Sequence, residues 1–418
     1  MAGKRSLTSL HLDSLFEGAT LEELSAGLAP KLDDLPRPFP ATGKVKPERV
    51  ARIWNALGRE PEVSLLDAWT LENLSAFEGN IENLIGTVKL PVGVAGPLRV
   101  NGLYAQGDYA VPLATTEAAL VASYHRGMCA ITAAGGCSAM LLYQAVNRAP
   151  AFAFESVREA GAFIAWVTEH FEKLQAIAEE TSRYGRLVDF GTTLEGNHVY
   201  LNLEFTTGDA SGQNMVTIAT QAICDWMEGE CPIPIKKCYV EGNLSGDKKA
   251  SSQAYTSVRG RKVTAEVKIP EELVKRVLKS SSKEMVDYWQ MSAIGGVLSG
   301  TMGVQGHFAN GLAALYLATG QDAACVAESA MGVTRFEVLE EGGLYAAVTL
   351  PSLMLGTVGG GTNLPSQGAC LELMGLLGSG HSEALAEVCG GVLLAGELSI
   401  IAALASGDFT KAHKKLAR

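Results

Sequence analysis

Apolar residues recur along the chain at two periods, and the alternation of those periods outlines its organisation. Leu65, Leu66, Trp69, Leu71 and Leu74 include three- and four-residue spacings and predict an apolar helical face. Segment 90–100 reads as a strand and turn and leads to the apolar stretch 109–114. The alanine-rich stretch opened by Thr115, Thr116 and Glu117 reads as a helix start with Glu117 in its first turn. From 149 to 239 the pattern predicts a helix over 156–180, strands over 185–190 and 198–205, a turn at 208–214, a helix over 215–227 and a strand over 233–239. That order resembles a split βαβ, ferredoxin-like unit, and no Gly-x-Gly-x-x-Gly fingerprint of a Rossmann unit follows any strand. Further on come a strand at 263–267, a Gly-, Ala- and Ser-rich segment at 292–306, an apolar helix from 306, a glycine-rich loop at 355–363 and a C-terminal helix over 384–405.

The expected fold class is α+β. A large helical and sheet domain is drawn from 86–148 and 240–405, a small inserted domain from 149–239, a helical arm from 1–85 and a mobile tail from 406–418. The proline-rich connector from Leu35 to Pro40 divides the arm, which is read as a packing and oligomerisation segment.

Composition narrows the function. A length of 418 residues with 47% hydrophobic residues supports a large core. A net charge of -11 and a pI near 5.3 argue against a nucleic-acid partner, which asks for a basic face. Eight scattered cysteines, without Cys-x-x-Cys pairs or histidines at ligand spacing, fit reduced thiols in a cytoplasmic protein and no metal site. The N-terminal residues lack the apolar stretch of a signal peptide. The longest apolar run, 392–405, contains Gly396 and Glu397 and is too short for a bilayer, so no membrane partner is expected.

Candidate chemistry concentrates in the loop Glu241-Gly242-Asn243-Leu244-Ser245-Gly246-Asp247-Lys248-Lys249. Two lysines beside an aspartate suit an anion or a developing oxyanion; a solvated turn between strands is the plainer alternative. Glu117, set among apolar residues, is expected to be part-buried with a raised pKa, or else to balance a helix dipole. Asp322 reads equally as a capping aspartate and a functional one. The turn Asp209-Ala210-Ser211-Gly212-Gln213-Asn214 precedes a helix and makes an anion site, with N-capping by Asp209 as the alternative. The loop from Leu355 to Asn363 lacks the Lys-Ser/Thr of a Walker loop; its glycines suit a cofactor's approach or simple turn geometry. Arg259, Arg261 and Lys262 read as a solvated turn. His413, on a basic tail behind Gly407, is placed to act as a mobile acid.

Taken together, the motifs Glu82-Asn83-Leu84-Ile85-Gly86, Pro91-Val92-Gly93-Val94-Ala95-Gly96-Pro97, Ala114-Thr115-Thr116-Glu117, Asp247-Lys248-Lys249, Gly320-Gln321-Asp322-Ala323 and Gly356-Thr357-Val358-Gly359-Gly360-Gly361-Thr362 resemble the soluble catalytic portion of the hydroxymethylglutaryl-CoA reductase family. The resemblance runs from about Glu82 to the C-terminus. It implies reduction of 3-hydroxy-3-methylglutaryl-CoA to mevalonate by two hydrides, with Glu117, Lys248, Asp322 and His413 as catalytic residues. It further implies an acyl-CoA site including Arg148, Asp247, Lys249, Asn310, Glu82 and Asn83. The dinucleotide site falls on Ser182, Arg183, Asp209, Ala210, Ser211, Gly212, Gln213, Asn214, Gly359, Gly360 and Arg418, with 149–239 as the dinucleotide-binding domain. NADPH is expected over NADH, on Arg183 and Arg418 reaching a 2′-phosphate. A homodimer or higher homo-oligomer with the active site at the interface is implied as well.

Four positions depart from the family pattern. Glu241 stands where a serine is usual in animal-type members, Ser211 and Gln213 replace methionines, and Gln290 stands where a lysine beside the acyl carboxylate is expected. They keep open a paralogue acting on an acyl thioester without a distal carboxylate, or a non-catalytic homologue.

Overall fold

The structure is a computed structural model describing residues 20–407 apart from 34 and 40–42; α-helices of five or more residues are numbered. The first segment forms α1 (Leu21–Leu28), α2 (Pro47–Ala56) and α3 (Ala68–Glu72). Val50 and Trp54 meet Leu66, Leu74, Phe77 and Leu84 in a small separate core. The apolar face expected over 65–74 is only partly buried: Trp69 and Leu71 are exposed. Asp67 caps a five-residue helix there, and the chain turns again at Asn73, so no continuous helical face develops.

Strands β1 (Val92–Gly102) and β2 (Gln106–Ala114) make an antiparallel hairpin, and α4 (Leu120–Ala133) leads to β3 (Cys137–Arg148), which runs parallel to β1. The start of β3 pairs antiparallel with β8 (Gly260–Ile269), and its last three residues pair with β6 (His198–Thr206). One strand therefore carries the chain out of the large sheet and into the segment that follows, 149–239. Beyond β8 the sheet continues through β11 (Leu344–Leu353) and β10 (Gly332–Val338) to β9 (Gly303–Val304), the last pair parallel. The result is a mixed α/β fold around a mixed sheet.

Residues 149–239 contain β4 (Ala151–Ala153), α5 (Val157–Glu169), α6 (Phe171–Thr181), β5 (Arg186–Glu195), β6, α7 (Gln213–Glu230) and β7 (Lys237–Tyr239). Its strands lie in the order β7-β4-β6-β5, each pair antiparallel. The single helix expected over 156–180 is two helices that meet at His170, whose backbone leaves the helical region at φ -105° and ψ 15°.

The remaining helices are α8 (Ser282–Ser299), α9 (Phe308–Thr319), α10 (Pro365–Leu373) and α11 (Ser382–Ala405). Helix α11 is long and apolar enough to cross a bilayer, yet 83% of its most apolar window is buried inside the protein. Its carboxylates do not interrupt it, because backbone amides receive them. Glu387 accepts from the amides of Leu103, Tyr104, Ala105 and Leu141, and Glu397 from those of Gly306 and His307. Gly127 lets α4 cross α11 closely: a β-carbon there would lie 1.9 Å from Ala395 O.

Candidate functional site

The loop before α7, the loop after β11 and the turn after α9 converge on a cleft of about 590 Å³, a volume typical of small-molecule sites. Ala210, Ser211, Gly212, Gln213 and Asn214 line one side, Gly356, Gly359 and Gly360 another, and Lys248 and Asp322 also face it. The two loops touch because residue 356 is glycine; a β-carbon there would sit 2.5 Å from Ser211 N. No side chain caps α7 at Gly212, so its first-turn N–H groups are available to an anion. The expected N-cap, Asp209, faces elsewhere. It accepts from the amides of Gly380 at 2.9 Å and Ser382 at 3.2 Å, fastening the turn to the start of α11. Burial pushes the Asp209 carboxyl up, but these bonds prevail and hold it below its ordinary value.

Lys248 lies in the left-handed region, φ 56°, at a cost of roughly 1–2 kcal/mol for a residue with a β-carbon. Its Nζ is 2.8 Å from Asp322 Oδ2. Asp322 also accepts from Ala324 N at 3.0 Å and from Gln213 Nε2 at 3.3 Å, so it both caps the following turn and holds the lysine. The hydrogen bond to Asp322 raises the Lys248 pKa. Burial pushes Asp322 up, and the Lys248 bond with its neighbours outweighs that and lowers it. Gln213, one of the departures from the family pattern, thus bonds directly to the aspartate.

Behind the loop lies a charge network. Arg148 Nη1 reaches Glu241 Oε2 at 3.1 Å and Asp247 Oδ2 at 3.0 Å, and Arg259 Nη2 reaches Asp247 Oδ1 at 2.8 Å. Arg259 Nη1 also engages both oxygens of buried Glu328, at 2.6 and 2.7 Å. Lys249 is exposed and donates to Asp247 O at 2.8 Å.

Glu117 is exposed in this chain rather than part-buried, and it precedes α4 instead of entering its first turn, since the helix begins only after Ala119 at φ 70°. Its carboxylate accepts from Asn310 Nδ2 at 3.0 and 3.3 Å, and not from Lys248. Asn310, not Asp322, is the side chain it meets within the described residues. Glu82 and Asn83 are exposed, and the nearby Gly79 and Asn80 line the cleft. Ser182 and Arg183 sit at the turn after α6, outside the residues lining the cleft; Ser182 Oγ accepts from Tyr184 and Gly185 amides. Gln290 is exposed on α8. His413 and Arg418 lie outside the described residues.

The basic cluster expected as a solvated turn is instead buried: Arg259 and Arg261 are both interior. Arg261 donates to Leu355 O, Gly208 O and Ser382 Oγ, pinning both cleft loops and α11 together. Gln321 completes the frame by exchanging hydrogen bonds of 2.8 and 2.9 Å with the backbone of Gly356. The alternating pattern entering 263–267 was the available signal, because extending β8 back to Gly260 turns Arg261 inward.

Residues 48–418 match the family model for hydroxymethylglutaryl-coenzyme A reductase. A 3-hydroxy-3-methylglutaryl-coenzyme A reductase of Methanocaldococcus jannaschii is 42% identical over 355 residues, 84% of this chain and 87% of that one. One from Pyrococcus abyssi is 40% identical over 401 residues, 90% of this chain and 98% of the relative. Among solved structures, the class II 3-hydroxy-3-methylglutaryl-CoA reductase of Streptococcus pneumoniae bound to NADPH aligns with a TM-score of 0.65 at 20% identity, covering 96% and 98% of the two chains. At that identity it supports the fold.

Proposed function

We infer that this chain, which belongs to the hydroxymethylglutaryl-coenzyme A reductase family, reduces 3-hydroxy-3-methylglutaryl-CoA to mevalonate and CoA with reduced nicotinamide dinucleotide. The observation that carries this reading is the Lys248 and Asp322 ion pair facing the cleft between the Asp209 turn and the glycine loop. The uncapped start of α7 suits a pyrophosphate, and the glycines at 359 and 360 leave room for a flat ring. When bound, the dinucleotide supplies hydride.

The chain's own residues do the rest. Lys248 stabilises negative charge on the acyl carbonyl oxygen, and Asp322 orients its ammonium. Glu117, steadied by Asn310, gives a proton to the aldehyde oxygen. His413 protonates the departing CoA thiolate. Arg148, Asp247 and Lys249 form the acyl-carboxylate end of the site.

NADPH is the proposed cofactor, with Arg183 and Arg418 toward the 2′-phosphate; the NADPH-bound Streptococcus pneumoniae structure is consistent with this. The strand order β7-β4-β6-β5 supports a ferredoxin-like, dinucleotide-binding domain over 149–239, set into a large domain of 86–148 and 240–405. The exposed apolar side chains of Met291, Ile294, Val297 and Leu298 on α8 support a homodimer or higher homo-oligomer, with a partner completing the site. Eight free cysteines support a cytoplasmic location. A paralogue for another acyl thioester, or a non-catalytic homologue, has less support, given relatives of 40% identity or more and the presence of Glu117, Lys248 and Asp322. Reduced-nicotinamide absorbance followed with 3-hydroxy-3-methylglutaryl-CoA and simpler acyl-CoAs tests the reading: turnover of the first is expected, and turnover of only another overturns it.

A further inference from the structure

Arg148 is more buried than the two acids it pairs with, 8% exposed against 24% for Glu241 and 23% for Asp247. Its single Nη1 serves both acids, while its Nε is buried without a hydrogen-bond partner. A buried guanidinium donor left unmatched is costly and points to an acceptor that joins it in the working complex. The two acids that already neutralise Arg148 are not held alike. Asp247 is ion-paired to two arginines, its Oδ2 to Arg148 at 3.0 Å and its Oδ1 to Arg259 Nη2 at 2.8 Å, the second pair without hydrogen-bond geometry, so its departure would uncover both guanidinium groups. Glu241 has Arg148 and a long 3.4 Å contact from Ala149 N on Oε2, while its Oε1 has no partner. It is the acid able to withdraw.

We propose that Glu241 is a placeholder carboxylate on Arg148, displaced when the distal carboxylate of the acyl group arrives, and that it sets how strongly this chain selects carboxylate-bearing acyl thioesters. The proposal rests on the reading of Arg148 as the acyl-carboxylate partner. An incoming carboxylate must break the Glu241 contact and then lie beside a displaced like charge, so part of its binding free energy is lost to the exchange. An acyl thioester without that carboxylate leaves the contact intact. Glu241 is thus a specificity-determining residue whose effect appears in discrimination between acyl groups.

Glu241→Ser and Glu241→Gln test it, with 3-hydroxy-3-methylglutaryl-CoA compared against 3-hydroxybutyryl-CoA, which lacks the distal carboxylate. Both variants keep Asp247 on Arg148, and circular dichroism checks that they fold. The ratio of the two kcat/KM values is expected to rise about tenfold, through a lower KM for the carboxylated substrate, equivalent to about 1.4 kcal/mol. An unchanged or lower ratio in folded variants overturns the placeholder role. Arg148→Lys separates this from the underlying reading, since the ratio should fall in that variant. If it does not, the assignment of Arg148 is wrong; if it falls while the Glu241 variants do nothing, the placeholder alone is wrong.

Discussion

Replacing Lys248 by alanine separates chemistry from stability at the centre of the site. The Lys248 and Asp322 side chains are 42% and 37% exposed, so their ion pair contributes at most about 1 kcal/mol to folding. Alanine retains the β-carbon, so the left-handed backbone at φ 56° is no easier or harder to form. Asp322 keeps Ala324 N and Gln213 Nε2 as donors and is not orphaned. Unfolding free energy by urea is therefore expected to stay within about 1 kcal/mol of the parent. In the proposed role the reaction loses the ammonium that meets the developing oxyanion, and removal of one such donor is expected to lower kcat by about 10²–10³-fold, or about 2.7–4 kcal/mol of barrier. Steady-state turnover, urea unfolding and calorimetric binding of NADPH on the same preparation read the three quantities. Near-normal kcat would refute the oxyanion role, as would a loss of activity matched by a comparable loss of folding stability or of dinucleotide binding.

Asp322→Asn removes the largest cause of the raised Lys248 pKa, so the alkaline limb of kcat/KM is expected to move down toward the ordinary lysine value of 10.5. Because the Asp322 pKa is lowered by folding, its contribution to stability is present above the ordinary value of 3.8 and lost as pH falls through its folded value; the stability gap between parent and variant should close on acidification. Arg261→Leu leaves the carbonyls of Leu355 and Gly208 without their buried donor, a loss on the order of 3 kcal/mol by urea unfolding, with weaker NADPH binding because both cleft loops loosen.

Much of this was legible in the residues. Most of the order of elements over 149–239 follows from apolar periodicity, β4 excepted, and the charge gathered around Lys248 is plain in the sequence, whereas its 2.8 Å contact with Asp322 is not. What periodicity does not carry is the partner of a charged side chain. Arg261 looks solvated in the run Arg259-Gly260-Arg261-Lys262, and only the pairing of β8 with β3 and β11 turns it inward. Glu387 and Glu397 look like interruptions of an apolar run until the amides of remote turns are seen to receive them. The apolar neighbours of Glu117 in sequence suggest a part-buried carboxylate, whereas its side chain is exposed ahead of α4 and meets Asn310. Asp209 likewise follows the local rule for an N-cap in sequence and breaks it in space, since the start of α11 presents two free amides nearby.

Reduction of a thioester to an alcohol consumes two hydrides and releases one thiol, which makes the stoichiometry of a single reaction the most direct measurement. With limiting 3-hydroxy-3-methylglutaryl-CoA and excess NADPH, two equivalents of cofactor should be oxidised for each CoA thiol released, with mevalonate as the product. Oxidation of one equivalent per thiol, or none with this substrate, would contradict the assignment.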